Sequence, residues 1–557
     1  IVYTPQMLAK FVSQKIVEYA GTECSRKIIR ILDPAMGNGE LLVNLLDSLN
    51  QASETLVEVH GFDTDSSALK IASNRLAQQF PAVTTRFQSG NFLNFVLEQF
   101  GQQEQGNIFQ TDGREAYDII IANPPYVRTQ VLGSSQAKLL SEQFGLSGRI
   151  DLYFAFIIGI SQVLKQNGTA GIIVSNRFMT TKSGAFIRQA ILERFNVLHA
   201  WDLGDTKLFN AAVLPAVLIV QGKGGTKPSR PKFTSIYQSS ASTCQSAANP
   251  ISALEREGVV KISDGRNFLV QHGELDTNDK PGGVWRVGTA SGDAWLKTVD
   301  AHRACTFKDI GKVRVGVKTC ADKVFVRSDW HEMAEKDRPE LLRPIITHHV
   351  AQRYKSLVLE QPKFIIYPHE VVNGLRRAVD LTRYPRSYAY LISNKNKLES
   401  RKYLIEASRC WYEIWVPQDP LAWNLPKLVF RDIAQQPTFW IDLDGSVVNG
   451  DCYWIVCQKP KEEDLLWLAV AVANSTLIER YYDLRFHNKL YAGRRRFITQ
   501  YVEKFPLPDP QRSICQSIIE KSKLIYRLTP KASTHHLQQE LNSMVWQALT
   551  GDPNEFT

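Results

Sequence analysis

A chain of 557 residues, 44% hydrophobic and 22% charged, is too long for one ordinary core and too apolar to be disordered. No apolar run is long enough to span a bilayer, the longest being broken by charge or Gly within about 10 residues, and no membrane is expected as a partner. The formal net charge of +10 is unevenly placed: residues 1–223 hold 19 Lys+Arg and 19 Asp+Glu, leaving 47 basic and 37 acidic residues from totals of 66 and 56. A neutral part joined to a basic part suits catalysis in one and polyanion binding in the other.

Short β-rich runs alternate with helix-length stretches through the first part. The strand candidates are "KIIRILD", "VEVHGFD", "TTRFQSG", "YDIIIAN", "TAGIIVSN", "VLHAWDL" and "AVLIVQG". Between them lie helical stretches such as "GELLVNLLDSLN", "SSALKIASNRLAQQF" and "DLYFAFIIGISQVLKQ". This alternation predicts an α/β fold with a doubly wound parallel sheet, because a parallel crossover needs a dozen or more residues. "AVLPAVLIVQG" reads as the far side of a hairpin. The Gly-, Ser- and Pro-rich "GKGGTKPSRPK" and "YQSSASTCQSAANP" mark a boundary near residue 224. The expected domains are 1–223 and 224–557. The second is mixed α+β, with β-like runs "KVFVRS", "KFIIYP", "KLVFRDI" and "YWIVCQ" and a helical C-terminal part after about residue 462.

Three strand ends carry groups suited to a nucleotide-type cofactor. "ILDPAMGNGELL" places Asp33 at a strand end, followed by a turn in which Gly37 and Gly39 allow close approach to the backbone. "HGFDTDSSAL" ends with Asp63, placed to accept two ribose hydroxyls. "QSGNFL" offers Asn91 for an adenine edge and the Phe92 ring for stacking. The fourth strand end, Asn123-Pro124-Pro125-Tyr126, is different in kind. Each proline drives the residue before it toward extended backbone. The stiff segment holds two acceptors, the Asn123 side-chain oxygen and the Pro124 carbonyl, which suit an amine with two hydrogens to donate, while Tyr126 can stack on the ring bearing it. Holding both hydrogens favours the tetrahedral nitrogen that attacks an electrophile.

Residues 1–222 resemble the gamma class of DNA amino-methyltransferases, the Taq-type adenine-N6 enzymes. The matches follow that family's order: "YTP" (3–5), "DPAMGNG" (33–39), "FD" (62–63), "GNFL" (90–93), "NPPY" (123–126) and "DLYFAF" (151–156). The resemblance implies S-adenosyl-L-methionine held by the Tyr3, Thr4, Pro5 segment together with Asp33, Ala35, Gly37, Gly39, Asp63, Asn91 and Phe92. It also implies a target adenine held by Asn123, Pro124 and Tyr126, with Phe209 on its other face and no metal. Asn91 stands where relatives commonly carry aspartate.

The second part resembles the Taq-type target-recognition domain in "VGVKTCADKVFV", "ELLRPIITHHVAQRY", "KFIIYP", "RCWYEIW", "KLVFRDI" and "HNKLYAGRRRFITQYVEKFPLP". Arg494, Arg495 and Arg496, beside Tyr491 and Phe497, are expected to contact DNA, as are Arg128 and Lys318. Double-stranded DNA is the implied partner, read by a monomer in the cytoplasm of a bacterium or archaeon. Eight cysteines without any CxxC pair fit reduced thiols. Transfer to cytosine N4 or to a protein glutamine uses the same NPPY chemistry and stays open. The chain begins at Ile1 without an initiator Met, which leaves room for a nuclease upstream; a restriction endonuclease or other defence components are the further partners to expect.

Overall fold

The computed structural model describes residues 4–21, 28–49, 56–100, 117–127, 144, 151–209, 214–224, 230–277, 280–459, 462–486, 490, 493–529 and 532–552. Tyr3, Arg128 and Tyr491 lie outside that set. The chain forms two compact units, Ile1–Ala290 with Lys489–Gly493, and Ser291–Asn488 with Arg494–Thr557.

The first unit is built on one sheet. Its strands are β1 (Ile28–Asp33), β2 (Leu56–Asp63), β3 (Thr84–Ser89), β4 (Tyr117–Ala122), β5 (Leu164–Ser175), β6 (Phe195–Asp202) and β7 (Pro215–Gly222). Their spatial order is β3-β2-β1-β4-β5-β7-β6. The first five run parallel, and β7 is antiparallel to both β5 and β6, so the expected hairpin is present. Helices cover both faces. On one lie α1 (Gln6–Ala20), α2 (Glu40–Ser48) and α3 (Ser66–Gln79), which share a core with Val57, Val59, Ile119 and Ile121. On the other lie α4 (Phe92–Phe100), α5 (Tyr153–Val163) and α6 (Ala185–Arg194), with Leu32, Phe62, Ile120 and Ala170. Alternate residues of each strand feed opposite cores, as the period of two requires. α5 ends earlier than its sequence suggests, because Leu164, Lys165 and Gln166 already belong to β5.

The sheet does not stop at β7. It continues through β8 (Lys232–Gln238), β9 (Ser246–Ala247), β10 (Gly258–Ile262), β11 (Asn267–Asp276) and β12 (Arg286–Gly288). β8 runs parallel to β6 and antiparallel to β11. The compact unit therefore ends at Ala290, and the boundary expected near 224 falls inside a continuous sheet. The polar, Gly-rich stretch there joins two neighbouring regions of the sheet rather than two bodies; residues 225–229 of it lie outside the described set.

In the second unit a five-stranded sheet has the order Arg314–Val315, Cys452–Val456, Lys427–Arg431, Phe439–Asp442, Tyr354–Lys355. A four-stranded sheet contains Val326–Arg327, Phe364–Ile366, Leu342–Ile346 and Val447–Val448. Of "KVFVRS" only the Val326–Arg327 half is strand, since Asp322–Phe325 makes a helical turn. The helical C-terminal part is α7 (Asp464–Ala473), α8 (Thr476–Phe486), α9 (Ser513–Leu528) and α10 (His535–Thr550). These share an apolar core with Leu428, Phe430, Phe439 and Ile441 of the five-stranded sheet. Among the described residues, no helix is long and apolar enough to cross a membrane.

Candidate active site

The carboxyl ends of β1, β2 and β4 bring the predicted groups together at one edge of the sheet. After β1 the chain makes its Gly-rich turn with Gly37 at φ 52° and Gly39 at φ 81°, values that L side chains adopt only with strain. The turn is tied to the end of β2. Met36 N donates to Phe62 O at 2.9 Å, and Gly37 N donates to Asp63 Oδ2 at 2.8 Å. Asp63 Oδ1 accepts from Asp65 N at 2.8 Å. Asp63 thus braces the turn and keeps one lone pair on each oxygen for a ligand. A Cβ on Gly61 would lie 2.2 Å from Met36 Sδ, so a side chain at 61 would force the Met36 side chain, which packs over β2, to shift.

Asp33 is fully buried. Its Oδ1 accepts from Ala35 N at 3.0 Å, while Oδ2 is buried with no hydrogen-bond partner. Burial pushes its carboxyl up to about 8; the Ala35 N–H opposes this and the neighbouring Asp63 adds to it. A buried carboxyl with one bare oxygen is costly by itself and suits a cationic group.

Asn123 follows β4 directly. Its Nδ2 donates to Thr4 Oγ1 at 2.9 Å, and its Oδ1 accepts from the Tyr126 hydroxyl at 2.9 Å. Thr4 precedes α1, with Pro5 as the residue before its first turn. The two bonds set which way the amide faces and hold the Tyr126 ring over the strand end. Burial raises the Tyr126 hydroxyl far above its ordinary range, so it remains a donor.

Two predicted rings lie elsewhere than expected. Phe92 is 1% exposed and packs on Phe62, Phe95 and Phe156 with centroids 5.7, 6.5 and 5.8 Å away. It opens α4 and points into the core below the strand ends, where Gly159 of α5 makes room for it: a Cβ there would be 3.0 Å from Phe92 Cε1. Asn91 caps this helix, its Oδ1 accepting from Leu93 N at 3.0 Å. Phe209 is 5% exposed in the apolar cluster that includes Leu8, Phe11, Met36 and Trp201; among the described residues its ring pairs with no other aromatic ring.

Several site groups were not anticipated. Tyr153, in "DLYFAF", meets Tyr126 edge-to-face with centroids 6.1 Å apart, and its hydroxyl is buried without a partner. Because nothing is lost from the resting fold, Tyr153→Phe is expected to leave stability unchanged or raise it by up to about 1 kcal/mol. Thermal melting of the variant checks this. At the ends of β5 and β6, Asp202 Oδ1 accepts from Asn176 Nδ2 at 2.8 Å, and its Oδ2 accepts from the Tyr237 hydroxyl of β8 at 2.6 Å. Burial moves Asp202 up to about 6, against those two hydrogen bonds. Gln238 N donates to Asp205 Oδ1 at 2.7 Å, and Arg266 Nη1 to Thr206 O at 3.2 Å. The added strands therefore clamp the segment leading from β6 to Phe209. The polar strand ends "VSN" and "AWD" are the sequence signal for this network.

In the second unit two of the three expected arginines are engaged within the fold. Arg495 Nε and Nη2 donate to Asp483 at 2.8 and 2.9 Å, and Arg496 donates to Asp432 at 3.1 and 3.2 Å. These guanidinium forks are occupied by carboxylates and brace the pairing of Arg495–Arg496 with Ile433–Ala434. Arg494 and Lys318 are exposed. Arg495→Ala is accordingly expected to cost about 2 kcal/mol of stability, the worth of hydrogen bonds to a charged group. Arg494→Ala, at an exposed side chain, should instead leave the melting temperature unchanged. Calorimetric melting separates the two.

Comparison with known proteins adds to this geometry. Residues 58–209 match the family described as Eco57I restriction-modification methylase, and residues 370–507 the TaqI-like C-terminal specificity domain. The chain is 35% identical over 538 residues to the Type II methyltransferase M.BanIII of Aneurinibacillus aneurinilyticus, covering 93% of this chain and 91% of that protein. It is 24% identical over 502 residues to the Type II methyltransferase M.BstVI of Geobacillus stearothermophilus, covering 86% and 85%. Among solved structures it resembles, in fold, the Type IIL restriction-modification enzyme MmeI in complex with DNA. There the TM-score is 0.58 at 13% identity, covering 98% of this chain and 72% of that one.

Proposed function

Since the chain belongs to the Type II DNA methyltransferases and carries a TaqI-like C-terminal specificity domain, we propose that it methylates N6 of an adenine rotated out of duplex DNA. The observation that carries this reading is the Thr4–Asn123–Tyr126 hydrogen-bonded chain at the end of β4. The amide oxygen has two lone pairs, of which Tyr126 uses one. The other is available to a substrate amine, and the Pro124 carbonyl is the second acceptor. With both amine hydrogens held, the nitrogen lone pair is withdrawn from the ring and aimed outward, a stabilisation present chiefly in the transition state. Tyr126 offers a ring face to the base. Phe209 would take the opposite face by turning out of its apolar cluster as the base enters. Rotation out of the stack is required because N6 cannot be reached inside a duplex.

The residues present fit S-adenosyl-L-methionine. The bare Asp33 Oδ2 suits its ammonium, the remaining lone pairs of Asp63 suit ribose hydroxyls, and the Gly37–Gly39 turn admits it to the backbone. When bound, this cofactor supplies a methyl group on a positively charged sulfur. Asn91, engaged as a helix cap, offers its amide nitrogen to the adenine moiety. The basic second part would hold the phosphate backbone and read base edges, in a monomer acting in a bacterial or archaeal cytoplasm beside a restriction endonuclease.

The test is incubation of sequence-diverse duplex DNA with radiolabelled S-adenosyl-L-methionine, followed by nucleoside mass spectrometry. Label as N6-methyladenine is expected. Label on cytosine N4 would move the acceptor atom, label on a protein glutamine would replace the substrate class, and no label on any of these would overturn the reading.

A further inference from the structure

Within the second unit, His369–Val372 and Leu375–Ala378 form an isolated two-stranded ribbon with the register His369↔Ala378, Glu370↔Arg377, Val371↔Arg376 and Val372↔Leu375. Asn373 and Gly374 close it at φ 54° and 75°. Two consecutive positive φ values make the type I′ turn whose twist matches that of the strands, so the ribbon is stiff rather than a loose loop. Its two faces differ. One is moored to the unit: His369 Nε2 accepts from Ile414 N at 3.0 Å, and Arg376 Nη1 donates to Gln418 O at 3.0 Å. The other, carrying Glu370, Val372, Leu375 and Arg377, faces out. Leu375 at the tip is 74% exposed. Arg377 and Arg383, 57% and 58% exposed, share the single carboxylate of Glu370 at 3.3 and 3.7 Å.

An exposed Arg–Glu–Arg cluster contributes almost nothing to folding stability, and an apolar side chain on a projecting tip is a solubility cost. The cluster keeps one excess positive charge, and Arg376 adds another. A two-stranded ribbon is also of the width that the major groove of B-DNA admits, where arginine pairs with guanine and a carboxylate accepts from cytosine. Resting on the proposed function, we propose that the ribbon His369–Ala378 is a sequence-reading element that enters the major groove and reads a G·C pair through Arg377, oriented by Glu370. The match to a specificity domain begins at residue 370, at the ribbon's first strand. Glu370 and Arg383 are positioning residues in this arrangement, while Arg377 touches the base.

The experiment maps methylated adenines by sequencing a random-sequence DNA pool treated with the full chain, with Arg377→Ala, and with Lys459→Ala as an exposed-cation control. Arg377→Ala is expected to relax discrimination at one G·C pair of the wild-type motif by about 10- to 100-fold, leaving the other positions and the melting temperature unchanged. Lys459→Ala keeps the motif intact. An unchanged motif, or a uniform loss over all sequences, overturns the proposal. If Arg377→Ala modifies nothing, anisotropy with the wild-type motif duplex and a scrambled duplex decides: weakening confined to the motif duplex supports the ribbon, and equal weakening overturns it. A wild-type chain that labels no DNA removes the parent reading as well, whereas an unchanged motif removes this one alone.

Discussion

Asn123→Ala is expected to lower methyl transfer to DNA by about 10³-fold, the upper end of what one preorganised hydrogen-bonding group contributes to a transition state. The loss should appear in the single-turnover rate constant, because the acceptor matters most when the amine nitrogen is becoming tetrahedral. Affinity for S-adenosyl-L-methionine should stay the same, since Asn123 has no part in the turn that joins β1 to α2. The fold loses the bonds to Thr4 and Tyr126, together about 1–3 kcal/mol, which melting would register without unfolding the chain at assay temperature. A variant with undiminished turnover would show that the amide is only a brace between Thr4 and Tyr126.

Asp33→Asn should weaken S-adenosyl-L-methionine binding by about 10- to 100-fold, the worth of a charge-assisted hydrogen bond of roughly 1.5–3 kcal/mol. The pH dependence is the sharper signature. Asp33 has its folded-state pKa raised from 3.8 to about 8, so the folded chain keeps a proton that the unfolded chain releases near pH 4. Its contribution to stability is full below that point and is lost as pH rises toward 8. A bound ammonium favours the ionised carboxylate, so wild-type affinity should climb with pH up to about 7.5, beyond which the ligand's own amino group titrates. The Asn variant should bind weakly with a flat profile, and it should lose less stability than wild type between pH 5 and about 8. Isothermal titration calorimetry across that range checks the first point and melting the second. Equal affinity with an equal pH slope would remove Asp33 from the cofactor site.

Among the first seven strands, β1, β2 and β4 were legible because each ends in a chemically marked residue and because their buried residues make nearly continuous apolar runs. The strand ends at Asp33, Asp63 and Asn123 follow from that pattern, and the structure brings them to one edge. What lay hidden depends on partners far away in the chain. β8 to β12 follow a polar, Gly-rich stretch that looks like a linker, and only pairing with β6 reveals them as sheet. Phe92 is a core ring because Gly159, 67 residues on, opens a space for it. The run of arginines at 494–496 advertises phosphate binding, yet Asp432 and Asp483 claim two of the three. The ribbon, absent from the expected strands, did carry a signal: Asn-Gly between "HEVV" and "LRRA" is the strongest short-range hairpin signal there is.

The close passage of Met36 over Gly61 bears on how this protein can change over generations. The two positions lie in different motifs, yet a single added carbon at 61 would sit 2.2 Å from the Met36 sulfur and 3.0 Å from Phe87 Cδ1. A mutation at 61 alone therefore forces the buried Met36 side chain to shift, while a smaller residue at 36 first would leave only the Phe87 ring to give way to a later one at 61. The order of substitution matters, and descendants that accept a side chain at 61 should be those that had already shortened the residue at 36.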